Sequence, residues 1–386
     1  MSAILVESYG YQGIITYIIL KENIMGRILK YGIVGCGGIA ENKHMPSVKA
    51  IGGIEMTAFC DIIPEKAEKA NKEYGGGKGK VFKDYKELVK EDVDAVLVLT
   101  PNSSHCEITV AALNAGKNVL CEKPMAKNYE EARAMIAARD KSGKLLTIGY
   151  QNRYRPDSLY LRQECESGTL GDIYFAKATA IRRRAVPTWG VFLDEEKQGG
   201  GPLIDIGTHS LDLTLFMMNN YEPAYAVGTV YHKLNKEKNT GNIWGDWDPD
   251  KFTVEDSAFG FIVMKNNATI ILQSSWALNT TEVREAVTTL CGTKAGADMP
   301  QAGELVINGV KNNKQYVLKP EFISGGVAFF GGKEEEPAIV EARVFAEAVR
   351  GSGKLYVQPE QAAVVTKILE GIYISAKTGK PHYFEN

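Results

Sequence analysis

Residues 28–34, ILKYGIV, run directly into Gly35-Cys36-Gly37-Gly38-Ile39-Ala40 and then into a polar stretch, ENKHMPSVKAI, that can start a helix. A G-x-G-x-x-A on a strand-to-helix turn is the fingerprint of a dinucleotide-binding βα unit. Gly35 permits the tight turn and Gly37 lets the backbone approach a pyrophosphate. Gly38 and Ile39 complete the loop, and Ala40 keeps the helix close to the sheet. The helix start supplies N–H groups and a positive dipole end. Alone the motif is weak, because turns carry glycines for many reasons, so the flanking order decides.

That order is regular. A second apolar run, IEMTAFC, ends at Asp61, where a carboxylate can accept hydrogen bonds from adenosine ribose hydroxyls and repel a 2′-phosphate. NAD is therefore expected as cofactor, with NADP disfavoured. PEKAEKANKEYG is helical in composition, and VDAVLVLT (93–100) reads as a buried parallel strand. A helix over 105–116, a strand NVLCEKP (118–124), a helix over 129–143 and a strand LLTIGY (145–150) follow. Strand–helix alternation through such a stretch is the doubly wound α/β signature.

At 386 residues, and with about 150 residues per domain as a guide, the chain has room for two domains. Expected are an NAD-binding domain over 25–150 and a substrate-binding and oligomerisation domain over 151–386. Lys and Arg number 45 against 47 Asp and Glu, a net charge of -2, which removes the electrostatic reason to expect nucleic acid or an anionic membrane as partner. Six scattered cysteines without a C-x-x-C pair fit neither a disulfide framework nor a structural zinc site, so a reducing, cytoplasmic setting is expected and no metal. Residues 1–24 stand apart. The apolar run 13–20 is too short to cross a bilayer, which takes about 20 residues, and Lys21-Glu22 can be encoded by a ribosome-binding sequence ahead of Met25. Translation is expected to start at Met25, leaving 1–24 as a gene-calling artefact; the alternative is a genuine N-terminal arm.

The second half carries strand-like runs YFAKATAI, AYAVGTVYHKL, SAFGFIVM, ATIILQSSWAL and AVTTLCG, which read as a mostly antiparallel sheet. Residues 303–335 read as glycine-rich and irregular, and helices are expected over 336–350 and 359–377. If helices cover one face of the sheet, a second subunit is the expected cover for the other.

GIVGCGGIA, TPNSSH (100–105), CEKPMA (121–126) and GGGPLIDIGTHSLDL (199–213), in this order, resemble the Gfo/Idh/MocA family of glucose–fructose oxidoreductases and inositol dehydrogenases. The resemblance runs from about Met25 to the C-terminus. It implies a Rossmann domain followed by an α+β domain with a large open mixed sheet, nicotinamide-dependent chemistry on a sugar, glycoside or cyclitol, and assembly as a homodimer or homotetramer.

The candidate catalytic residues are Lys123, Asp205 and His209. Lys123, in Glu122-Lys123-Pro124, lies just past a strand C-terminus, where ligands bind in open α/β sheets. By resemblance it is catalytic, and Pro124 follows a cis bond; the alternative is a solvated surface charge. Asp205 and His209 are four apart on a helix, share a face, and can position a hydroxyl and take its proton. Asp212 lies near that face and can orient the imidazole. The alternative is a satisfied polar stripe or a pair of metal ligands. The family also implies that Thr100, Pro101, Asn102, His105, Glu122 and Gln151 face the cofactor, although a turn and helix cap explains Asn102 equally well. Arg153 and Tyr154 are expected at the substrate. So are Arg182, with surface salt bridging as the alternative, and Trp189, whose indole can stack on a sugar ring. Trp244, Asp246 and Trp247 form a further loop candidate that can equally seal a subunit contact. The RRRAVPTWGVF segment resembles the sugar and glycoside dehydrogenase branch, where oxidation at ring C3 recurs. The rivals are a redox-neutral NAD-dependent glycosidase of the same superfamily and a sensor that binds nicotinamide or sugar without chemistry.

Overall fold

The computed structural model describes residues 26–322 and 335–385, so the expectation for residues 1–24 lies outside the described residues. The first sheet holds β1 (Leu29–Val34), β2 (Ile54–Cys60), β3 (Lys80–Phe82), β4 (Ala95–Val98), β5 (Asn118–Cys121) and β6 (Leu146–Ile148), all parallel, in the order β3-β2-β1-β4-β5-β6. This is the doubly wound dinucleotide-binding order, with its switch point between β1 and β4. The central strands are apolar almost throughout because helices cover both faces: α1 (Met45–Ile51), α2 (Pro64–Tyr74), α3 (Tyr85–Leu88), α4 (His105–Asn114) and α5 (Tyr129–Ser142). The ends of α5 follow from local chemistry. The Asn128 side chain accepts from the Glu131 N–H at its start, and Gly143 closes it in the left-handed region.

Helix α6 (Pro156–Glu166) leads into the second sheet, and α7 (Glu195–Gln198) and α8 (Thr208–Met218) follow within it. The strands are β7 (Ile173–Ile181), β8 (Pro223–Tyr231), β9 (Ser257–Met264), β10 (Thr269–Ser275), β11 (Arg284–Gly292), β12 (Ala295–Asp298), β13 (Val306–Lys311), β14 (Lys314–Leu318) and β15 (His382–Tyr383), in the order β14-β13-β12-β11-β7-β10-β9-β8-β15. The sheet is mixed: β7 and β10 are parallel and their other pairings antiparallel. The region expected to be irregular contains the β13–β14 hairpin, turning at Asn312 and Asn313, both with positive φ.

The remaining helices, α9 (Pro337–Val349) and α10 (Pro359–Thr378), go to different places. Helix α9 returns to the first domain, where Phe345 meets Tyr31 at 6.0 Å and joins the core beneath α1. Helices α8 and α10 cover one face of the second sheet. Gly228 allows this close approach, because a Cβ there would lie 2.5 Å from Ile372 of α10. On the opposite face Ile271, Phe261 and Val227 stand in register across β10, β9 and β8, with Phe261 and Val227 exposed.

Candidate active site

The C-terminal ends of β1, β4 and β5 and the start of α8 converge on one region. Gly35 leaves β1 at φ 90°, and a Cβ there would lie 2.6 Å from the Leu99 carbonyl oxygen, so only glycine fits. A Cβ at Gly37 would meet open space and one at Gly38 only the Asn42 side-chain amide at 3.8 Å, with Ile39 exposed beside them. Asp61 at the end of β2 accepts from the Cys36 N–H at 2.9 Å and the Ile63 N–H at 2.9 Å, one on each oxygen. The carboxylate is thereby aimed at the loop, and each oxygen keeps a lone pair for a ribose hydroxyl. Ile62 and Ile63, which the sequence reading passed over, are exposed next to it and offer an apolar surface to an adenine ring. At the end of β4, Thr100 Oγ1 is buried without a partner and Pro101 is exposed. An open glycine cradle, an oriented carboxylate and an orphaned hydroxyl fit a dinucleotide.

The loop after β5 places Lys123 through a cis Lys123–Pro124 bond. Its half-buried ammonium donates to Asp205 Oδ1 at 2.9 Å and to the Asp205 carbonyl at 3.0 Å. The other Asp205 oxygen accepts from Trp276 Nε1 at 3.0 Å, a partner the sequence reading missed. Burial alone would raise Asp205, but Lys123 and Arg182 outweigh it and hold the carboxyl below its ordinary value. Asp205 sits in a π-helical turn, Leu203–Gly207, that runs straight into α8, which carries His209. A buried carboxylate fixes the start of that turn: Glu255 accepts from Gly201 N at 2.8 Å, Leu203 N at 3.1 Å and Tyr373 Oη at 2.8 Å. His209 Nδ1 is buried without a partner, and its ring lies edge-on to Tyr150 at 6.3 Å. Burial, then the Lys123 charge, pushes the imidazole down to about 3, so the neutral base is the resting form.

Several of the expected site residues are engaged with other protein groups. Glu122 lies in a buried cluster, accepting from Lys43 Nζ at 2.8 Å and meeting His44 Nε2 at 2.6 Å through one oxygen, while the other takes the Lys123 N–H at 3.0 Å. Burial would raise Glu122, but Lys43 and His44 hold it well below the usual carboxylate range. Lys43 also pairs with Glu341 of α9 at 3.0 Å. His105 is wholly buried and braces two loops, its ring nitrogens 2.8 Å from the Pro124 carbonyl and 2.9 Å from the Thr100 carbonyl. Asn102 gives its side-chain amide to the Gln198 carbonyl at 3.0 Å, tying the first domain to α7.

Arg153 is 0 % exposed and pairs through two N–H groups with Asp212, at 2.9 and 2.6 Å. Both oxygens of Asp212 are thereby engaged with Arg153. Tyr154 is likewise buried, against Tyr356. Arg182 gives its guanidinium to Glu285 at 2.7 and 2.5 Å, the salt-bridge alternative. Gln151 is half-buried in the turn Gln151–Tyr154, and Trp189 stands exposed.

Comparison with known proteins agrees with this fold. The family model described as "Oxidoreductase family, NAD-binding Rossmann fold" matches residues 29–150, and the one described as "GFO/IDH/MocA C-terminal domain" matches residues 158–298. The chain belongs to the Gfo/Idh/MocA family. It is accordingly an oxidoreductase with that family's NAD-binding fold. D-glucoside 3-dehydrogenase of Escherichia coli K12 is 33% identical over 363 residues, covering 93% of this chain and 99% of that protein. Inositol 2-dehydrogenase of Salmonella typhimurium LT2 is 33% identical over 163 residues, covering 42% of this chain and 48% of that protein. The structure of a levoglucosan dehydrogenase in complex with NADH and levoglucosan superimposes with a TM-score of 0.79 at 19% identity, over 93% of this chain and 100% of that one, a likeness of fold. Among the described residues no helix is long and apolar enough to cross a membrane.

Proposed function

We propose that this Gfo/Idh/MocA oxidoreductase is an NAD-dependent dehydrogenase that oxidises a secondary ring hydroxyl of a sugar, glycoside or cyclitol, with a glucoside C3 hydroxyl as the first choice. Residues 25–150 hold the cofactor in this reading, and residues 151–386 shape the substrate pocket and the assembly. The observation that carries it is the Lys123–Asp205 contact at the mouth of the first sheet. The ammonium has three donors, and Asp205 takes two of them, which leaves one for a substrate oxygen. The full-length similarity to a D-glucoside 3-dehydrogenase supports the choice of hydroxyl.

Bound NAD supplies the hydride acceptor. Gly35, Gly37, Gly38, Ile39, Asp61, Thr100 and Pro101 hold it. Lys123 donates to the reacting hydroxyl and stabilises the negative charge that develops on its oxygen. That interaction also lowers the hydroxyl's own pKa toward that of the weakly basic imidazole. His209 accepts the proton at Nε2, its Nδ1 being buried. Asp205 fixes the Lys123 ammonium and is itself fixed by Trp276.

The apolar ladder Ile271–Phe261–Val227 is covered by a second copy of the chain in this proposal, since an exposed sheet face of this kind marks an interface. Light scattering that gives a monomer mass at micromolar concentration would remove that part. All six cysteines are free, which supports a reducing, cytoplasmic setting.

The activity is tested by incubating purified protein with NAD and a panel of free hexoses, inositols, methyl glucosides and uronates while following nicotinamide absorbance. NADH formation with one class, lost in Lys123→Ala, is the expected result. A cleaved glycosidic bond without net NADH would replace it with the redox-neutral glycosidase.

A further inference from the structure

The aromatic residues behind Asp205 continue to the surface. Trp276, whose indole N–H is on Asp205, is 0 % exposed and meets Phe192 at 6.4 Å. Phe192 meets Trp189 at 6.0 Å, and Trp189 meets Trp244 at 5.0 Å with ring planes 77° apart. Exposure rises outward, to 51 % at Trp189 and 41 % at Trp244. Two nearly perpendicular indoles thus form a corner linked through Phe192 to Trp276, the indole that holds Asp205. Arg182 joins the corner to the same centre from another side. Its guanidinium carbon lies 5.3 Å over the Trp244 ring and its charge acts on Asp205, while Glu285 neutralises it.

Several polar groups around the corner are engaged within it. Asn242 accepts from Val186 N at 2.8 Å and donates to the Val186 and Gly245 carbonyls at 3.0 and 2.7 Å. Thr188 Oγ1 donates to the Trp244 carbonyl at 2.8 Å, and Asp246 accepts from Thr240 Oγ1 at 2.6 Å. What the two exposed indoles offer a ligand is chiefly ring surface, besides their N–H groups. A second sugar ring carries hydroxyls around its rim, and burying them without partners is costly. A flat apolar ring carries no such cost and gains from edge and face contacts with two indoles.

We propose that the Trp189–Trp244 corner is an aglycone subsite and that the glycosides this protein takes carry a planar aromatic aglycone. The proposal deepens the glycoside reading and rests on it for the placement of the sugar at Lys123 and Asp205. The test is binding rather than turnover. Calorimetry on the full-length protein loaded with NADH, which blocks oxidation, compares phenyl and methyl glucosides of one anomeric configuration. The phenyl compound is expected to bind roughly tenfold tighter, in keeping with aromatic contact energies. Trp189→Ala and Trp244→Ala should each bring the ratio toward one, and Trp189→Phe should keep most of it. Equal affinities in the parent protein, or a ratio that survives both alanine variants, would overturn the proposal. So would an equal gain for a glucosyl-glucose disaccharide, which would assign the corner to a second sugar. An unchanged ratio with loss of oligomer mass in Trp189→Ala would overturn it in favour of a subunit contact. A tryptophan-dependent phenyl preference without NADH formation in turnover assays would uphold the subsite and sink the dehydrogenase reading. Absence of binding by either glucoside would sink both.

Discussion

Lys123 and Asp205, 82 residues apart in sequence and carried by different domains, meet at 2.9 Å. The contact joins the loop after β5 to the π-helical turn before α8, so the reactive ammonium and the helix bearing His209 are set by one another. Replacing Lys123 with alanine removes the donor that meets developing charge. We expect kcat to fall by about 10²–10³-fold, the magnitude lost with one charge-stabilising donor, with NADH affinity within a few-fold of the parent. Steady-state kinetics with fluorescence titration of NADH would show this; equal losses in kcat and cofactor affinity would speak for a cofactor contact instead.

Asp205→Asn keeps the size of the side chain and its bond from Trp276 but neutralises the partner of the ammonium. Lys123 then loses its anchor, and kcat/KM is expected to drop about tenfold to a hundredfold. Unchanged kinetics in this variant would mean that the contact has no part in the reaction.

The depressed imidazole gives a signed pH prediction. His209 falls from its ordinary value of 6.5 to about 3 in the folded protein, mainly through burial. Between those values the unfolded chain binds the extra proton and the folded chain does not. The group therefore costs nothing above about pH 6.5 and destabilises progressively as pH falls toward 3. In NMR titrations its ring signals should stay at their neutral positions from pH 8 to pH 5, and kcat/KM should show no acid limb from this residue near pH 6.5. A midpoint near 6.5 for His209 would contradict the buried placement.

Arg153 and Asp212 form a buried pair, with side-chain exposures of 0% and 1%. Arg153→Met leaves a carboxylate buried without its partner, and such a loss costs about 3–5 kcal/mol. Chemical denaturation should show that drop, with KM for substrate unchanged in the protein that folds. A raised KM at unchanged stability would restore the substrate role that the sequence suggested for Arg153.

Asp61 tests cofactor choice. Asp61→Ser removes the negative charge at the end of β2, and the preference for NAD over NADP is expected to shrink by at least about tenfold. Titration of both cofactors by fluorescence measures it, and an unchanged ratio would place discrimination elsewhere.

Local patterns carried much of this architecture. IEMTAFC and SAFGFIVM coincide with β2 and β9, because period and composition decide such strands before tertiary contacts act. The β13–β14 hairpin escaped because β14 is exposed along its whole length and its Asn-Asn turn reads as loop. At the site, Lys123, Asp205 and His209 were legible from motifs. The environment of Lys123 was not. Lys43 reaches Glu122 across 79 residues and Arg153 reaches Asp212 across 59, and nothing local in the sequence marks a charged side chain as buried and paired at such a distance. Trp276 lay inside a strand-like run and gave no sign that its N–H would hold the Asp205 carboxylate.

Hydride transfer is read most directly in a single-turnover experiment: NAD-loaded protein mixed with excess methyl glucoside, with NADH followed by absorbance and the sugar product by mass spectrometry. One NADH per site and a product two hydrogens lighter are expected, with the rate reduced at least about a hundredfold in Lys123→Ala. Intact NAD beside a cleaved glycoside, or NADH formation at the parent rate in Lys123→Ala, would contradict it.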